Sequence, residues 1–178
     1  YAAGCSSCHA APGAEGEEKL KLAGGKRFIS DFGTFIAPNI SPDPSAGIGG
    51  WSDLELVNAV IKGITPGGVH YFPAFPYTSY GRADVADVVN IAAFLRTLPP
   101  VAEPAPAHEV GFPFNIRRTL GGWKLLFLDD SWQIDGDLTD QQTRGRYLAE
   151  ALGHCGECHT PRNGLGGSDG SRWLGGAK

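Results

Sequence analysis

Two copies of one pentapeptide pattern, Cys5-Ser6-Ser7-Cys8-His9 and Cys155-Gly156-Glu157-Cys158-His159, use all four cysteines of this 178-residue chain. Two intervening residues let one turn of chain present both sulfurs along one edge, and the histidine follows at once. This is the pattern at which two thiols add to the two vinyl groups of a porphyrin, with the adjacent imidazole placed beneath its iron. The expectation is therefore two haem c groups. Cys5, Cys8, Cys155 and Cys158 would form the thioethers, and His9 and His159 the proximal iron ligands. Paired C-x-x-C knuckles also build structural zinc sites. The gap between these two pairs is too wide for a zinc ribbon, and zinc gives no reason for a His after each second Cys. A redox dithiol needs one C-x-x-C near a βαβ pattern, and no such pattern is present. A disulfide within either pair would be strained.

The rest of the composition fits a wrapper for large apolar groups. The chain holds 26 Gly and 13 Pro, which implies many loops and short helices. Apolar and aromatic residues stay plentiful, so the chain is not disordered. A small loop-rich domain has a thin core, and an apolar cofactor would fill it. Net charge is −4, and without a basic stripe or Lys/Arg run nucleic acid is not an expected partner. The longest apolar run, Leu125-Leu126-Phe127-Leu128, is far below a membrane span. Membrane association is thus expected only through partners or further segments. The chain does not start with Met and shows no signal peptide, as a processed or trimmed piece would. Covalent haem attachment implies export to an oxidising compartment, such as the bacterial periplasm or the outer face of the inner membrane.

A repeat organises the chain. The loop after the first motif ends in Leu22-Ala23-Gly24-Gly25-Lys26, and that after the second in Leu174-Gly175-Gly176-Ala177-Lys178, in nearly the same register. The first copy continues into two helices. Ser52-Asp53-Leu54-Glu55 is a capping box ahead of an apolar stripe at Leu54, Val57 and Ile61, closed by Gly63. A second helix starts near Asp84, carries Val85, Val88, Val89, Ala92 and Leu95 at helical spacing, and stops before Pro99-Pro100. Between them lies a Gly/Pro/aromatic loop from Gly67 to Gly81. The segment 99–138 reads as a linker, stiffened by Pro104, Pro106 and Pro113, with Leu120 to Leu128 apolar enough to pack. Thr139-Asp140-Gln141-Gln142 is a further capping box. Its helix carries Tyr147, Leu148, Ala151 and Leu152 on one face and leads into Cys155. No β pattern of consequence is evident. The division expected is 1–98 for a first haem domain, 99–138 for the linker and 139–178 for the N-terminal part of a second domain.

Longer stretches carry a resemblance. They are Pro38-Asn39-Ile40-Ser41-Pro42-Asp43, Gly47 to Ser52, Tyr71 to Tyr80, Phe112 to Arg117, and Gly153 to Asn163. With them the chain resembles the multihaem cytochrome c subunits of bacterial membrane-bound dehydrogenase complexes that oxidise alcohols, gluconate, sorbitol or aldehydes. The resemblance implies a mostly α fold of tandem class I cytochrome c-like domains, the second one incomplete. It also implies an electron relay from a catalytic dehydrogenase subunit toward a quinone or a terminal oxidase. In that family the sixth iron ligand is usually Met, near the positions of Phe75 or Ala83. This chain has no Met.

His70, in the loop where a distal ligand should lie, is the candidate replacement, since His is a common haem ligand. A loop histidine bonding a carbonyl or a propionate is the plainer alternative. Tyr71, Tyr77 and Tyr80 are weaker candidates that would also serve to cover the porphyrin. His108 is expected in a surface or interface hydrogen bond and His154 in packing. The distal ligand of the second haem must come from other chain, the linker or a partner. Trp51 and Arg162, with Asn39, Arg117 and Arg118, are candidate donors to haem propionates. Phe32, Phe35, Phe72 and Phe75 are candidate haem-pocket residues. An open iron site would allow a di-haem enzyme or a small-ligand-binding haem protein, but the loop offers only Arg82 and no Glu as a distal acid/base set.

Overall fold

Glycine and proline keep the elements short, and the longest uninterrupted α-helix among the described residues has 11 residues. The computed structural model describes residues 3–176. In chain order its elements are α1 (Cys5–His9), a 3-10 turn (Gly16–Leu20), β1 (Arg27–Ser30), β2 (Gly33–Ile36), α2 (Asp53–Lys62), α3 (Tyr77–Tyr80), α4 (Val85–Leu95), α5 (Thr119–Phe127), α6 (Asp140–Arg146), a π-helix (Tyr147–Leu152), α7 (Cys155–His159) and a last 3-10 turn (Gly170–Arg172). At 37% helix and 7% strand the fold is mostly α, as expected. The strands are the exception. β1 and β2 form an antiparallel hairpin pairing Arg27 with Ile36 and Ser30 with Gly33, where the sequence suggested no strand. Its signal was the turn Asp31-Phe32-Gly33 between short apolar runs. No helix among the described residues is long and apolar enough to cross a membrane.

The contacts group into two compact units, 3–56 with 86–116 and 57–85 with 117–176. In the first unit Leu22, Ile48, Leu56, Ala92 and Leu95 form the core, with Ile40, Trp51, Ile91 and Leu98 packed on it. Burying each such leucine stabilises by roughly 1.5–3 kcal/mol. Arg96 ties this core to the start of α2, donating to Asp53 Oδ1 at 2.6 Å and to the Trp51 carbonyl at 3.1 Å. Asn39, fully enclosed, donates to the Val101 and Glu103 carbonyls and accepts from Ser41 N–H. Its amide is spent on the fold, which removes it as a propionate donor.

Both capping boxes form. Glu55 accepts from Ser52 N–H at 2.8 Å, and Thr139 and Gln142 cap α6 reciprocally. The buried face of α2 differs from the expected stripe, because Leu54 is 69% exposed while Leu56 and Ala59 are buried. Gly63 explains the rotation. It closes the helix at φ +60, and a Cβ there would lie 2.4 Å from the Tyr77 ring, so the packed face runs through 56, 59 and 63.

In the second unit the stretch from Leu120 is a helix, α5, rather than linker. Its packing is divided: Leu120 is buried as expected, Leu125 and Leu126 are 90% and 73% exposed, and Lys124 is only 9% exposed. The Lys124 ammonium donates to the Gly63 carbonyl at 2.9 Å, and to that of Lys62, at the C-terminal end of α2. The carbonyl end of a helix attracts a cation, and the Gly63 carbonyl accepts from Tyr71 N–H as well. The helix after Thr139 widens at Tyr147 into the π-helix, which buries Glu150 beside Tyr147, Ala151 and Leu152. Glu150 is satisfied by Gln133 N–H at 2.7 Å and Ile134 N–H at 3.1 Å.

Candidate haem attachment sites

The two C-x-x-C-H segments fold into the same turn. α1 and α7 are each one turn long and each follows a left-handed residue, Gly4 at φ 59 and His154 at φ 41. Ser7 N–H donates to the Gly4 carbonyl and Glu157 N–H to that of His154, both at 2.9 Å. The chain leaves both turns extended, through Ala10 and Thr160. The histidine carbonyl is then bound by a glycine of the following loop, His9 by Gly24 N–H at 2.7 Å and His159 by Gly176 N–H at 2.8 Å. The repeat seen in sequence is thus a repeat of hydrogen bonds. Ala177 and Lys178 of the second copy lie outside the described residues.

In the first turn the ring of His9 is oriented. Its Nδ1 lies 2.8 Å from the Pro38 carbonyl, which accepts the Nδ1 proton and leaves the Nε2 lone pair for a metal. Burial pushes the His9 pKa down, only partly opposed by that hydrogen bond, so the neutral imidazole that a metal requires is favoured. Burial likewise pushes the Cys5 thiol up. Lys26 Nζ donates to the Ser7 carbonyl at 2.9 Å. In the second turn Trp173 packs on Gly156, where a Cβ would lie 1.8 Å from its ring. Glu157 accepts from Thr78 Oγ1, from Ser79 Oγ at 2.9 Å and from Arg162 Nη2. None of the four cysteines is in a disulfide. Among the described residues no three His, Cys, Asp or Glu side chains gather in one cluster.

The remaining candidates fall as follows. His70 Nδ1 sits 3.1 Å from Lys124 Nζ and accepts from it, and a Cβ at Gly121 would lie 3.1 Å from His70 Nε2. Both ring nitrogens therefore face protein groups. Burial, then Lys124 and Arg117, push the His70 pKa down. Arg117 Nε donates to the His70 carbonyl at 2.7 Å, with the guanidinium 4.1 Å from the Phe72 ring centroid. Arg162 is shared between Glu157 and the Gly166 carbonyl. Trp51 packs on the first unit's core. His108 Nδ1 accepts from Ile36 N–H, and His154 lies edge-on to Tyr80 with centroids 5.4 Å apart. Phe32 meets Phe114 edge-on, and Phe75 meets Tyr71 edge-on and Tyr80 at a tilt.

Sequence reasoning missed Glu157, and named Tyr77 only as a weak iron ligand or a cover for the porphyrin. Tyr77 is fully enclosed and its hydroxyl has no hydrogen-bond partner. Burial and Glu157 raise its pKa, while Arg117 and Arg162 act against them. With the paired thiols and the tethered imidazole, the residues fit haem c.

A one-turn helix presenting two thiols and an adjacent imidazole defines a covalent haem-binding protein. A family model described as cytochrome c matches residues 1–99, and the chain belongs to the cytochrome c family. It is 57% identical over 176 residues to a diheme cytochrome c-type protein of Cereibacter sphaeroides, covering 99% of this chain and 60% of that one. It is 38% identical over 179 residues to the fructose dehydrogenase cytochrome subunit of Gluconobacter japonicus, covering 99% and 36%. It is also 41% identical over 167 residues to a nicotinate dehydrogenase subunit of Pseudomonas putida, covering 93% and 14%. The chain thus spans only part of the length of these curated relatives. Cytochrome subunits of alcohol and gluconate dehydrogenases match as well, in keeping with the resemblance read from the motifs.

Proposed function

We propose that the chain carries two haem c groups and relays electrons from a catalytic dehydrogenase subunit toward a quinone or a terminal oxidase, in the periplasm or on the outer face of the bacterial inner membrane. The observation that carries this reading is the duplicated attachment turn, with the same caps and the same His-to-Gly hydrogen bond in both copies. Haem c supplies a one-electron Fe(III)/Fe(II) couple. The chain's part is to fix each group by two sulfurs and an imidazole, so that little rearranges when charge moves. His9 is oriented by the Pro38 carbonyl, and His159 follows the same backbone course. The relatives' names support a dehydrogenase partner.

In this reading His70 is a loop residue that completes the hydrogen bonds of Lys124, not an iron ligand. That arrangement keeps a second reading in play, a haem protein with one iron open to small ligands. Two measurements decide. Acid–acetone extraction of the haem-loaded chain should leave both haems bound, and intact mass should show two per chain; haem that extracts freely would refute covalent attachment. Carbon monoxide added to the reduced full protein in complex with its dehydrogenase, where further chain or a partner can supply the sixth ligands, should leave the spectrum unchanged for a pure relay, whereas rapid binding at one iron would establish the open-site reading.

A further inference from the structure

Glu157 stands between the two cysteines of the second attachment turn, and its side chain is only 10% exposed. Two hydroxyls, on Thr78 and Ser79, and the Arg162 guanidinium hold its carboxylate in place. The same position of the first turn is Ser7, an exposed residue whose carbonyl accepts from the Lys26 ammonium. Two turns with one backbone course therefore differ in local charge, a carboxylate paired with a guanidinium at one and an ammonium at the other. Reduction of ferric haem removes one positive charge from the iron, so a carboxylate nearby stabilises the oxidised form. Burial keeps that interaction from being screened as a surface charge would be. Fixed charge and hydrogen bonding around the cofactor are among the levers a protein has on haem potential.

We propose that Glu157 holds down the midpoint potential of the haem joined to Cys155 and Cys158, and that Arg162 limits how far. Glu157 acts through the field it places on the attachment turn and is a positioning and tuning residue. The inference rests on the two-haem reading.

The test is a spectroelectrochemical titration of the haem-loaded chain, oxidised with ferricyanide and reduced with dithionite, for the parent, Glu157→Gln and Arg162→Gln. Glu157→Gln keeps the size and an acceptor oxygen for Thr78 and Ser79 but removes the charge. One of the two midpoints should move up while the other stays. Arg162→Gln removes the compensating cation, and the same midpoint should move down. A purely structural role would loosen the turn in both variants and shift them in one direction. That outcome, or two unmoved midpoints with Glu157→Gln, overturns the proposal. Should Glu157→Gln fail to retain the second haem, Arg162→Gln decides alone: a downward shift of one midpoint supports the proposal and its absence overturns it. Intact mass on the same samples reports haem count, so a single haem per chain would sink the two-haem reading separately.

Discussion

Lys124 shows how a charged side chain comes to be buried. Its partners are the Lys62 and Gly63 carbonyls, His70 Nδ1 and the face of the Tyr77 ring, 4.5 Å from the ammonium. None of these is an anion, so burial lowers the Lys124 pKa to about 8. In the unfolded chain the group titrates near its ordinary value of about 10.5. The unfolded state therefore binds more protons between those values, and stability rises as pH passes upward through about 8, by at most about 3 kcal/mol. Urea midpoints at pH 7 and pH 10 should show that gain in the parent and not in Lys124→Met. Neither this burial nor that of Glu157 was legible in the sequence. A lone Lys in an apolar run reads as the polar face of a helix, and the two positions inside C-x-x-C carry no chemical constraint of their own. The attachment cysteines and histidines were legible because thioether chemistry allows one spacing.

The elements most legible in the sequence were those whose ends are fixed by neighbours in the chain. Ser52 with Glu55 and Thr139 with Gln142 mark the starts of α2 and α6, and both boxes close within four residues. The buried face of α2 is set instead by a ring that arrives from Tyr77, which no local pattern records. Gly63 tests that contact. Gly63 and Gly68 both have left-handed backbones, at φ +60 and +78, but an added Cβ at Gly68 meets open space. Gly68→Ala should lower stability only by the strain of that conformation, roughly 1–2 kcal/mol. Gly63→Ala should cost about 1–3 kcal/mol more, for the overpacking against Tyr77. Chemical denaturation of the two variants side by side would check the difference.

At the scale of the whole molecule, the absence of Met from all 178 residues shapes the spectrum. Thioether sulfur on ferric haem gives a far-red charge-transfer band, and this chain, loaded with haem and alone in solution, should lack it. Detecting the band would mean that a partner or further chain donates the ligand. The contact units are built from stretches that are not continuous in sequence, for a physical reason. Side-chain bonds such as Lys124 to Gly63 and Glu157 to Ser79 join stretches far apart in number, and spacing along the chain cannot announce them. The twin attachment turns carry one more lesson. One is entered through glycine, for which a left-handed backbone is easy, and the other through His154, for which it is not. A side chain at that cap costs conformational ease and supplies, in the second turn, an imidazole held edge-on to Tyr80, which the glycine of the first turn has no atoms to provide.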